Sequence, residues 1–209
     1  MSYPVMLNLE GQPVLVVGGG KVAERKVEGL LEAKADVTVV SPELTEQLKR
    51  WANAGRFTWS ERTFTAGDER DVRLVFAATD KREVNKAVYE AAKSSAFVCT
   101  VDHPEESTFT VPAVMRRDPL VISISTGGAS PIVARKIKQE LYEKFDDTYA
   151  DYLMFLKQAR HVIKEQVADE KRRRALFAEL VTDDYYERYC TEGKKVCLKD
   201  VERFIQGEG

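Results

Sequence analysis

The chain has 209 residues, of which 44% are hydrophobic and 32% charged, so it is long enough for one large or two small domains with a buried core. A formal net charge of −2, with acidic and basic residues interspersed, argues against a dedicated nucleic-acid-binding protein. No apolar run approaches the roughly 18 residues of a membrane span, and the beginning of the sequence lacks the basic start and apolar core of a signal peptide.

The first predicted element is a buried strand at residues 13–17, which a glycine turn joins to an amphipathic helix beginning at Lys21. Gly18, Gly20 and Ala23 have the G-x-G-x-x-G/A spacing of a dinucleotide-binding turn. The first glycine permits the tight turn, the second lets a pyrophosphate approach the main chain, and the alanine lets the helix pack on the strand. The alternative is an ordinary strand-to-helix turn without a ligand.

Strands and helices alternate through the first half of the chain. The predicted helices lie at residues 21–32, 43–55 and 81–94, and the further strands at residues 36–40, 57–61, 73–79, 97–101, 108–113 and 119–125. Strands separated by helices form βαβ units and a parallel sheet. The fold class predicted is therefore α/β, with a Rossmann-like parallel sheet domain.

The chain changes character near Ser130, which with Pro131 has the pattern of a helix start: serine as the N-cap and proline at the first position. Beyond Asp146 only helical patterns follow, at residues 149–167, 171–181, 185–189 and 198–205. We therefore predict a separate, charged helical region at the C-terminal end.

The end of the second predicted strand is where a dinucleotide-binding domain usually carries an acid for the ribose hydroxyl. Here the sequence reads Ser41-Pro42-Glu43, so Ser41 is placed to bind the ribose and Glu43 to reach it. No arginine or lysine follows directly to hold a 2′-phosphate, which favours NAD over NADP. Ser41-Pro42 as a plain strand end is the alternative.

The fourth predicted strand ends in Ala77-Ala78-Thr79-Asp80, at the same edge of the sheet as the glycine turn. The two alanines leave room for a cofactor, and Thr79 and Asp80 put polar groups at its rim. Thr79-Asp80 also suits the N-cap of the helix beginning near Lys81, and both interpretations can hold together. The predicted cofactor-binding residues are Gly18, Gly20, Lys21, Val22, Ser41, Pro42, Glu43 and Thr79.

Asp102 and His103 follow the fifth predicted strand, again at a carboxyl end. A carboxylate in this position is available for proton transfer beside a nicotinamide, although loop carboxylates are commonly just solvated. His103 competes for the same role because imidazole titrates close to neutral pH. These two residues are the predicted catalytic residues.

The three cysteines have no zinc-ligand spacing, so we expect free thiols in a reducing compartment and no metal site.

The segment 125–131 is a second glycine-rich junction between a strand and a helix. Ser125, Thr126 and Ser130 supply hydroxyls ahead of a helix N-terminus, which attracts anions. Bases precede and follow this junction, so the cluster suits a ligand with several carboxylates; a tight turn with solvated charges is the alternative. The predicted substrate-binding residues are Arg116, Arg117, Ser125, Thr126, Arg135 and Lys138.

Four segments occur in an order that resembles one family over nearly the whole chain. They read GGGKVAERK, FAATD, VDHPEESTFTVPA and ISISTGGASPIVARKIK, and they are similar to the sirohaem-synthase dehydrogenase family. Members oxidise precorrin-2, either as free-standing enzymes or as the N-terminal part of a multifunctional synthase. The last segment discriminates best, because other Rossmann proteins share the first and lack the last.

The resemblance implies an NAD-binding domain over residues 1–113, a dimerisation segment over 114–146 and a C-terminal helical domain over 147–209 that helps to form a tetrapyrrole cleft. It also implies a homodimer. The cysteines, the charge and the lack of a long apolar run predict a cytoplasmic protein without nucleic-acid or membrane partners. The family's catalytic aspartate matches Asp102, and a family serine before the paired glycines falls at Thr126, next to Ser125. Without a methyltransferase domain after residue 209, we expect a form other than the trifunctional one.

The resemblance implies that NAD⁺ accepts a hydride from precorrin-2, which leaves one proton for a base. Two other classes stay open. The chain can be a chelatase that also inserts iron, with Asp102 or His103 acting on the pyrrole nitrogens or guiding the metal. It can also be a non-catalytic NAD-sensing module, which needs neither an acid at 102 nor a second glycine junction.

Overall fold

The computed structural model describes residues 2–206, without the side chains of residues 195 and 196. The chain forms two compact units, Met1–Val111 and Pro112–Gly209. Within residues 2–206, no helix has the length and apolar content that crossing a membrane requires. The boundaries predicted at residues 113 and 146 remain predictions.

The first unit is built on a five-stranded parallel sheet with the strand order β3-β2-β1-β4-β5. Three helices connect the strands, and a single 3₁₀ turn, Pro104–Glu106, follows the last one. In chain order the elements are β1 (Pro13–Val17), α1 (Lys21–Glu32), β2 (Asp36–Val40), α2 (Glu46–Asn53), β3 (Thr58–Ser60), β4 (Leu74–Ala77), α3 (Arg82–Ala92) and β5 (Phe97–Thr100). The Rossmann-like α/β fold is confirmed.

The sheet is covered on both faces, which explains why its strands are continuous apolar runs rather than alternating ones. Val14 and Val16 of β1 face a core shared with α1 and α2, whereas Leu15 and Val17 face a second core shared with α3. Ala23 in the first turn of α1 is fully buried in the first of these cores. Two separate apolar layers therefore fix the sheet between its helices.

The strand predicted at residues 108–113 is wrong for residues 108–112, which form no strand. Thr108 instead binds back to β5: its N–H donates to the Val98 carbonyl at 2.8 Å, and its hydroxyl accepts the Val98 N–H at 2.8 Å. The next strand, β6 (Ala113–Arg117), pairs with β7 (Leu120–Ile124) in an antiparallel hairpin of its own. The two-residue connection is too short for a parallel crossover, so β6 and β7 are antiparallel to each other, and they form a separate two-stranded sheet.

The second unit continues with five helices after this hairpin, and within residues 125–206 no further strand is found. The predicted helical region is confirmed, with bounds that differ by a few residues. The helices are α4 (Pro131–Lys144), α5 (Asp147–Gln166), α6 (Glu170–Glu179), α7 (Asp183–Glu192) and α8 (Lys194–Gln206). Their core is rich in aromatic rings, including Tyr152, Phe155 and Tyr185.

Candidate functional site

The sheet of the first unit has a topological switch point between β1 and β4. From β1 the chain runs through α1 to β2 on one side, and it later crosses to β4 on the other side. In an open parallel sheet, ligands bind in the crevice outside the carboxyl ends of the strands at such a point. The candidate site is therefore bordered by the residues that follow β1, β2, β4 and β5.

Two helices begin at this switch point without a side-chain cap. Helix α1 follows β1 with Gly20 as its N-cap, and α3 follows β4 with Lys81 as its N-cap. The helices α2, α4, α5, α6 and α7, in contrast, each have a capping side chain: Thr45, Ser130, Asp146, Asp169 and Thr182. The two N-termini that flank the crevice are thus left to satisfy their first N–H groups with something else, and an anion suits them.

The glycine turn is held by two very close backbone approaches. Gly18 has a φ of 122°, and a Cβ there would lie 2.4 Å from the Ala78 carbonyl oxygen. A Cβ on Gly19 would lie 1.9 Å from the Glu43 carbonyl oxygen, so Gly19 joins the turn to the loop after β2. Around Gly20 no atom lies within 4 Å of an added Cβ, which leaves open space at the start of α1.

Sequence reasoning did not single out Gly19, although three consecutive glycines were a signal for it.

Two residues in the first turn of α1, Lys21 and Val22, differ in environment: Val22 packs partly buried against the core, and Lys21 is exposed. The Lys21 ammonium lies 3.0 Å from a carboxylate oxygen of Glu24. Hydrogen bonds from the Thr45 hydroxyl, the larger cause, and from the Lys21 ammonium lower the pKa of Glu24. The first turn of α1 therefore carries an ionised carboxylate.

The loop after β2 is shaped by Ser41, which is buried. Its hydroxyl donates to the Glu43 carbonyl at 2.7 Å, and its carbonyl accepts the indole N–H of Trp59 at 3.0 Å. The Thr45 N–H donates to the Gly19 carbonyl at 2.9 Å. Ser41 thus orders the loop beside the glycine turn, whereas Pro42 and Glu43 are exposed. Their contacts with a ribose remain predictions.

An arginine that sequence reasoning missed lies at the end of the neighbouring strand. Arg62 follows β3, which pairs with β2, and its N–H donates to the Ser60 carbonyl at 2.9 Å. Its guanidinium makes two parallel contacts with Asp68, of 2.8 and 2.7 Å. This pairing lowers the pKa of Asp68, and Asp68 also accepts the Thr65 N–H at 2.9 Å. The cation at this end of the sheet is therefore engaged by a carboxylate.

Thr79, at the end of β4, is bound by Asn85 of α3. The Asn85 side-chain oxygen accepts the Thr79 N–H at 3.1 Å, and its amide nitrogen donates to the Thr79 carbonyl at 3.0 Å. The predicted capping of α3 by Thr79-Asp80 is wrong as stated, because Lys81 is the N-cap and its side chain makes no capping bond. Asn85 was not predicted, since nothing in its sequence neighbours indicates what a helical asparagine contacts.

Asp102 and His103 lie in the short loop between β5 and the 3₁₀ turn. Asp102 is exposed, and the His103 Nδ1 lies 2.6 Å from a Glu105 carboxylate oxygen, a contact that lowers the pKa of Glu105. Glu106 pairs with Arg82 at the start of α3 through two contacts of 2.5 Å, which lower the pKa of Glu106. The ion pair between Arg82 and Glu106 thus anchors to α3 the loop that carries both predicted catalytic residues.

The charge of Asp102 also acts on Arg82, whose pKa is raised first by its bond to Glu106 and further by Asp102. Arg82 therefore lies within electrostatic range of Asp102 and also contacts Glu106. Within residues 2–206, no cluster of three or more histidines, cysteines, aspartates or glutamates is arranged to hold a metal ion.

In the second unit, the glycine-rich junction is an ordered turn. The Thr126 hydroxyl accepts the Ser130 N–H at 3.1 Å, and Gly127 and Gly128 both have positive φ. Ser130 caps α4 as predicted, accepting the Val133 N–H at 3.2 Å. The Ser125 hydroxyl accepts the Gly127 N–H at 3.2 Å. These bonds hold the turn, and a contact of Ser125 or Thr126 with a substrate stays a prediction.

The four predicted substrate-binding bases have different surroundings. Arg117 pairs with Asp147 and stacks on the Tyr142 ring, 5.4 Å from its centroid, and the Lys138 ammonium lies 5.7 Å from the same centroid. Arg116 precedes Arg117 in β6, so its side chain leaves from the other face of the hairpin. Arg135 is exposed on α4. Only Arg117 and Lys138 among these four are brought together on one ring.

Comparisons with known proteins cover most of the chain. Residues 5–113 match a family model described as NAD(P)-binding, residues 117–143 match the central part of a sirohaem biosynthesis protein, and residues 149–188 match the SirC C-terminal domain. A siroheme synthase of Xylella fastidiosa is 44% identical over 177 residues, which are 84% of this chain and 37% of that protein. The chain spans between 37% and 42% of the length of this siroheme synthase and of those from Nitrosococcus oceani and Aeromonas salmonicida.

Two further matches extend over nearly the whole length of both proteins. A precorrin-2 dehydrogenase of Priestia megaterium is 31% identical over 202 residues, covering 97% of this chain and 99% of that one. A solved structure described as "SirC, precorrin-2 dehydrogenase" has a TM-score of 0.85 and 30% identity, covering 97% of this chain and 100% of that chain. The similarity therefore includes both compact units.

Proposed function

Because this chain belongs to the family of sirohaem-synthase dehydrogenases, we propose that it oxidises precorrin-2 to sirohydrochlorin with NAD⁺ as the acceptor. The observation that carries the proposal is the match with precorrin-2 dehydrogenases over the full length of both chains, in sequence and in structure. The switch-point crevice, with its two uncapped helices, fits a dinucleotide.

The residues around the crevice would each perform a part of the binding. The start of α1 at Gly20 offers open space and unpaired N–H groups to the pyrophosphate. Lys21 and Val22 follow in the first turn of α1. On the side of the ribose, the loop after β2 contributes Ser41, Pro42 and Glu43. Thr79, after β4, borders the opposite side of the crevice. When bound, the oxidised nicotinamide supplies the acceptor for a hydride.

Asp102 is the proposed base. Oxidation of precorrin-2 removes two electrons and two protons, so one proton remains after the hydride has left, and a carboxylate accepts it. The position of Asp102 after β5, beside β4 in the sheet, supports this role. His103 is the competing base, but its imidazole contacts Glu105.

The second unit would bind the carboxylates of the tetrapyrrole and join two copies of the chain. We assign charge pairing with the substrate to Arg116, Arg117, Arg135 and Lys138, with Ser125 and Thr126 at the turn. We propose a homodimer, supported by two apolar side chains at the start of α4: Ile132 is 71% exposed and Val133 is 46% exposed. A cytoplasmic location fits three cysteines that form no disulfide.

One assay tests the reaction. Purified chain, precorrin-2 and NAD⁺ are mixed, and NADH formation is followed together with the absorbance of the tetrapyrrole. We expect equal amounts of NADH and sirohydrochlorin. Two further mixtures separate the alternatives: iron insertion into sirohydrochlorin without NAD⁺ identifies a chelatase, and NAD⁺ binding without any turnover identifies a non-catalytic module. Either result without NADH formation would overturn the proposal. Sedimentation velocity measures the oligomeric state.

A further inference from the structure

Asn85 is a fully buried polar side chain in the first unit, with 0% of its surface exposed. Burying an amide is unfavourable unless its hydrogen-bonding groups are satisfied, so its partners indicate why an asparagine is there. All the partners given by the structure belong to one residue. Asn85 accepts the Thr79 N–H at 3.1 Å and the Thr79 hydroxyl at 2.8 Å, and it donates to the Thr79 carbonyl at 3.0 Å.

These bonds fix the chain immediately after β4. The Thr79 hydroxyl also accepts the N–H of Lys81 at 3.1 Å, so the turn into α3 is bonded at both ends. The residue before Thr79 is Ala78, whose carbonyl would lie 2.4 Å from a Cβ on Gly18. The peptide that Asn85 holds is therefore the one against which the glycine turn packs.

The polar groups of Thr79 are engaged by Asn85 and not directed at the crevice. Its N–H, carbonyl and hydroxyl all face Asn85, so Thr79 borders the crevice mainly through the position of its backbone. In α2, α4, α5, α6 and α7 the side chain of the N-cap residue accepts a hydrogen bond from an N–H group of the first turn. In α3 the polar side chain of the first turn instead reaches back to the preceding loop, and Lys81 makes no side-chain cap.

We infer that Asn85 is a positioning residue of the dinucleotide site: by binding Thr79 it holds the end of β4 against the glycine turn and keeps the crevice at the switch point open to the cofactor. The inference rests on the proposed use of NAD⁺. Without Asn85, the N–H and carbonyl of Thr79 lose their partners, and the Ala78–Thr79 segment can shift into the space beside Gly18.

Two variants of the full chain test this assignment, with NAD⁺ binding measured by calorimetry and unfolding by heat. Asn85→Ala is expected to raise the Kd for NAD⁺ at least tenfold and to speed hydrogen exchange at the Thr79 amide. Val88→Ala is the matched control, because Val88 is equally buried on the same helix but lies in the apolar core between α3 and the sheet. It is expected to lower the unfolding temperature while leaving the Kd within twofold of the parent.

The outcomes separate the inference from the proposed function. If the parent chain does not bind NAD⁺, the proposed function fails. If the parent binds and Asn85→Ala binds equally well, or if both variants weaken binding to the same extent, the positioning role is refuted. Should Asn85→Ala not fold, Asn85→Ser replaces it, since a serine hydroxyl can bind the Lys81 carbonyl one turn back but cannot span both backbone groups of Thr79.

Discussion

A substitution of Gly20 is expected to affect NAD⁺ binding without preventing folding. Its backbone is extended, with a φ of −85°, and open space surrounds the position of a Cβ. Aspartate is among the preferred N-cap residues in this conformation, so Gly20→Asp is expected to fold with an unchanged or higher unfolding temperature. The new carboxylate would take the first N–H groups of α1 and repel the pyrophosphate, so we expect the Kd for NAD⁺ to rise at least tenfold in a calorimetric titration.

Gly20→Asn is the control for charge, since it has the same shape and capping ability without the negative charge. We expect it to weaken NAD⁺ binding less than Gly20→Asp does. Wild-type affinity in a folded Gly20→Asp protein would mean that the pyrophosphate does not lie at the start of α1.

Asp102 is exposed in its loop, so its removal is expected to affect chemistry and not folding. We expect Asp102→Ala to lower kcat for precorrin-2 oxidation by roughly 10²-fold or more, the usual contribution of a positioned acid or base. A factor of 10² corresponds to about 2.7 kcal/mol of activation free energy. The Kd for NAD⁺ is expected to change little, and steady-state kinetics with a separate titration measure the two effects.

His103→Ala is the necessary comparison, because the imidazole is the neighbouring group able to accept a proton. Its contact with Glu105 lowers the pKa of that carboxyl and holds the ring at the loop surface, so we expect a smaller loss of kcat. If His103→Ala is the crippled variant and Asp102→Ala is near normal, the base is the histidine.

Among the helices and strands, local sequence patterns predicted the parallel strands and their helices, because each of these strands is a continuous apolar run bounded by a turn. The strand predicted at residues 108–113 failed where the side chain and backbone of Thr108 bond to β5 instead of forming a ladder. The strand predicted at residues 119–125 corresponds to β7, whereas its partner β6, at Ala113–Arg117, was not predicted. Both errors concern tertiary contacts.

The residues of the candidate site also fall into two groups, those that local sequence indicates and those that depend on tertiary contacts. Gly18, Gly20 and Ser41 could be found from sequence because a spacing or a strand end indicates them. Asn85 and Arg62 could not, since each acts through a partner several residues away, on a neighbouring loop: Thr79 for one and Asp68 for the other. Their importance depends on the strand order, which brings the ends of β1, β2, β3 and β4 to one edge.

The pairing of Arg62 with Asp68 leads to a prediction about cofactor preference. Asp68 engages both terminal nitrogens of the guanidinium at the ribose end of the sheet, so the cation is not available to a 2′-phosphate. We expect the parent to prefer NAD⁺, and Asp68→Asn to raise kcat/KM for NADP⁺ relative to NAD⁺ at least fivefold. Glu61→Gln removes the same charge from the same loop without releasing Arg62, so it is expected to leave this ratio unchanged. A preference of the parent for NADP⁺ would contradict the assignment.

The chain as a whole has a net charge of −2, whereas the proposed substrate carries several carboxylates. Long-range attraction cannot serve the binding of this substrate in a near-neutral protein, so local pairing with clustered bases has to supply it. The bases assigned to this pairing are Arg116, Arg117, Arg135 and Lys138, and Arg117 also pairs with Asp147 and lies on the Tyr142 ring. Neutralising Arg117 would therefore combine a loss of binding with a loss of folding stability.

The test of substrate binding accordingly uses Arg116→Gln, Arg135→Gln and Lys138→Gln in one chain. Pairing with substrate carboxylates is lost equally in the ground state and the transition state, so we expect KM for precorrin-2 to rise at least tenfold while kcat and the Kd for NAD⁺ change little. The matched control changes Lys157, Lys164 and Lys171 to glutamine, an equal change of charge at exposed positions of α5 and α6. Steady-state kinetics with both chains measure the difference. Equal increases of KM in the two would point to net charge alone, and a fall of kcat with unchanged KM would place the substrate carboxylates on other residues.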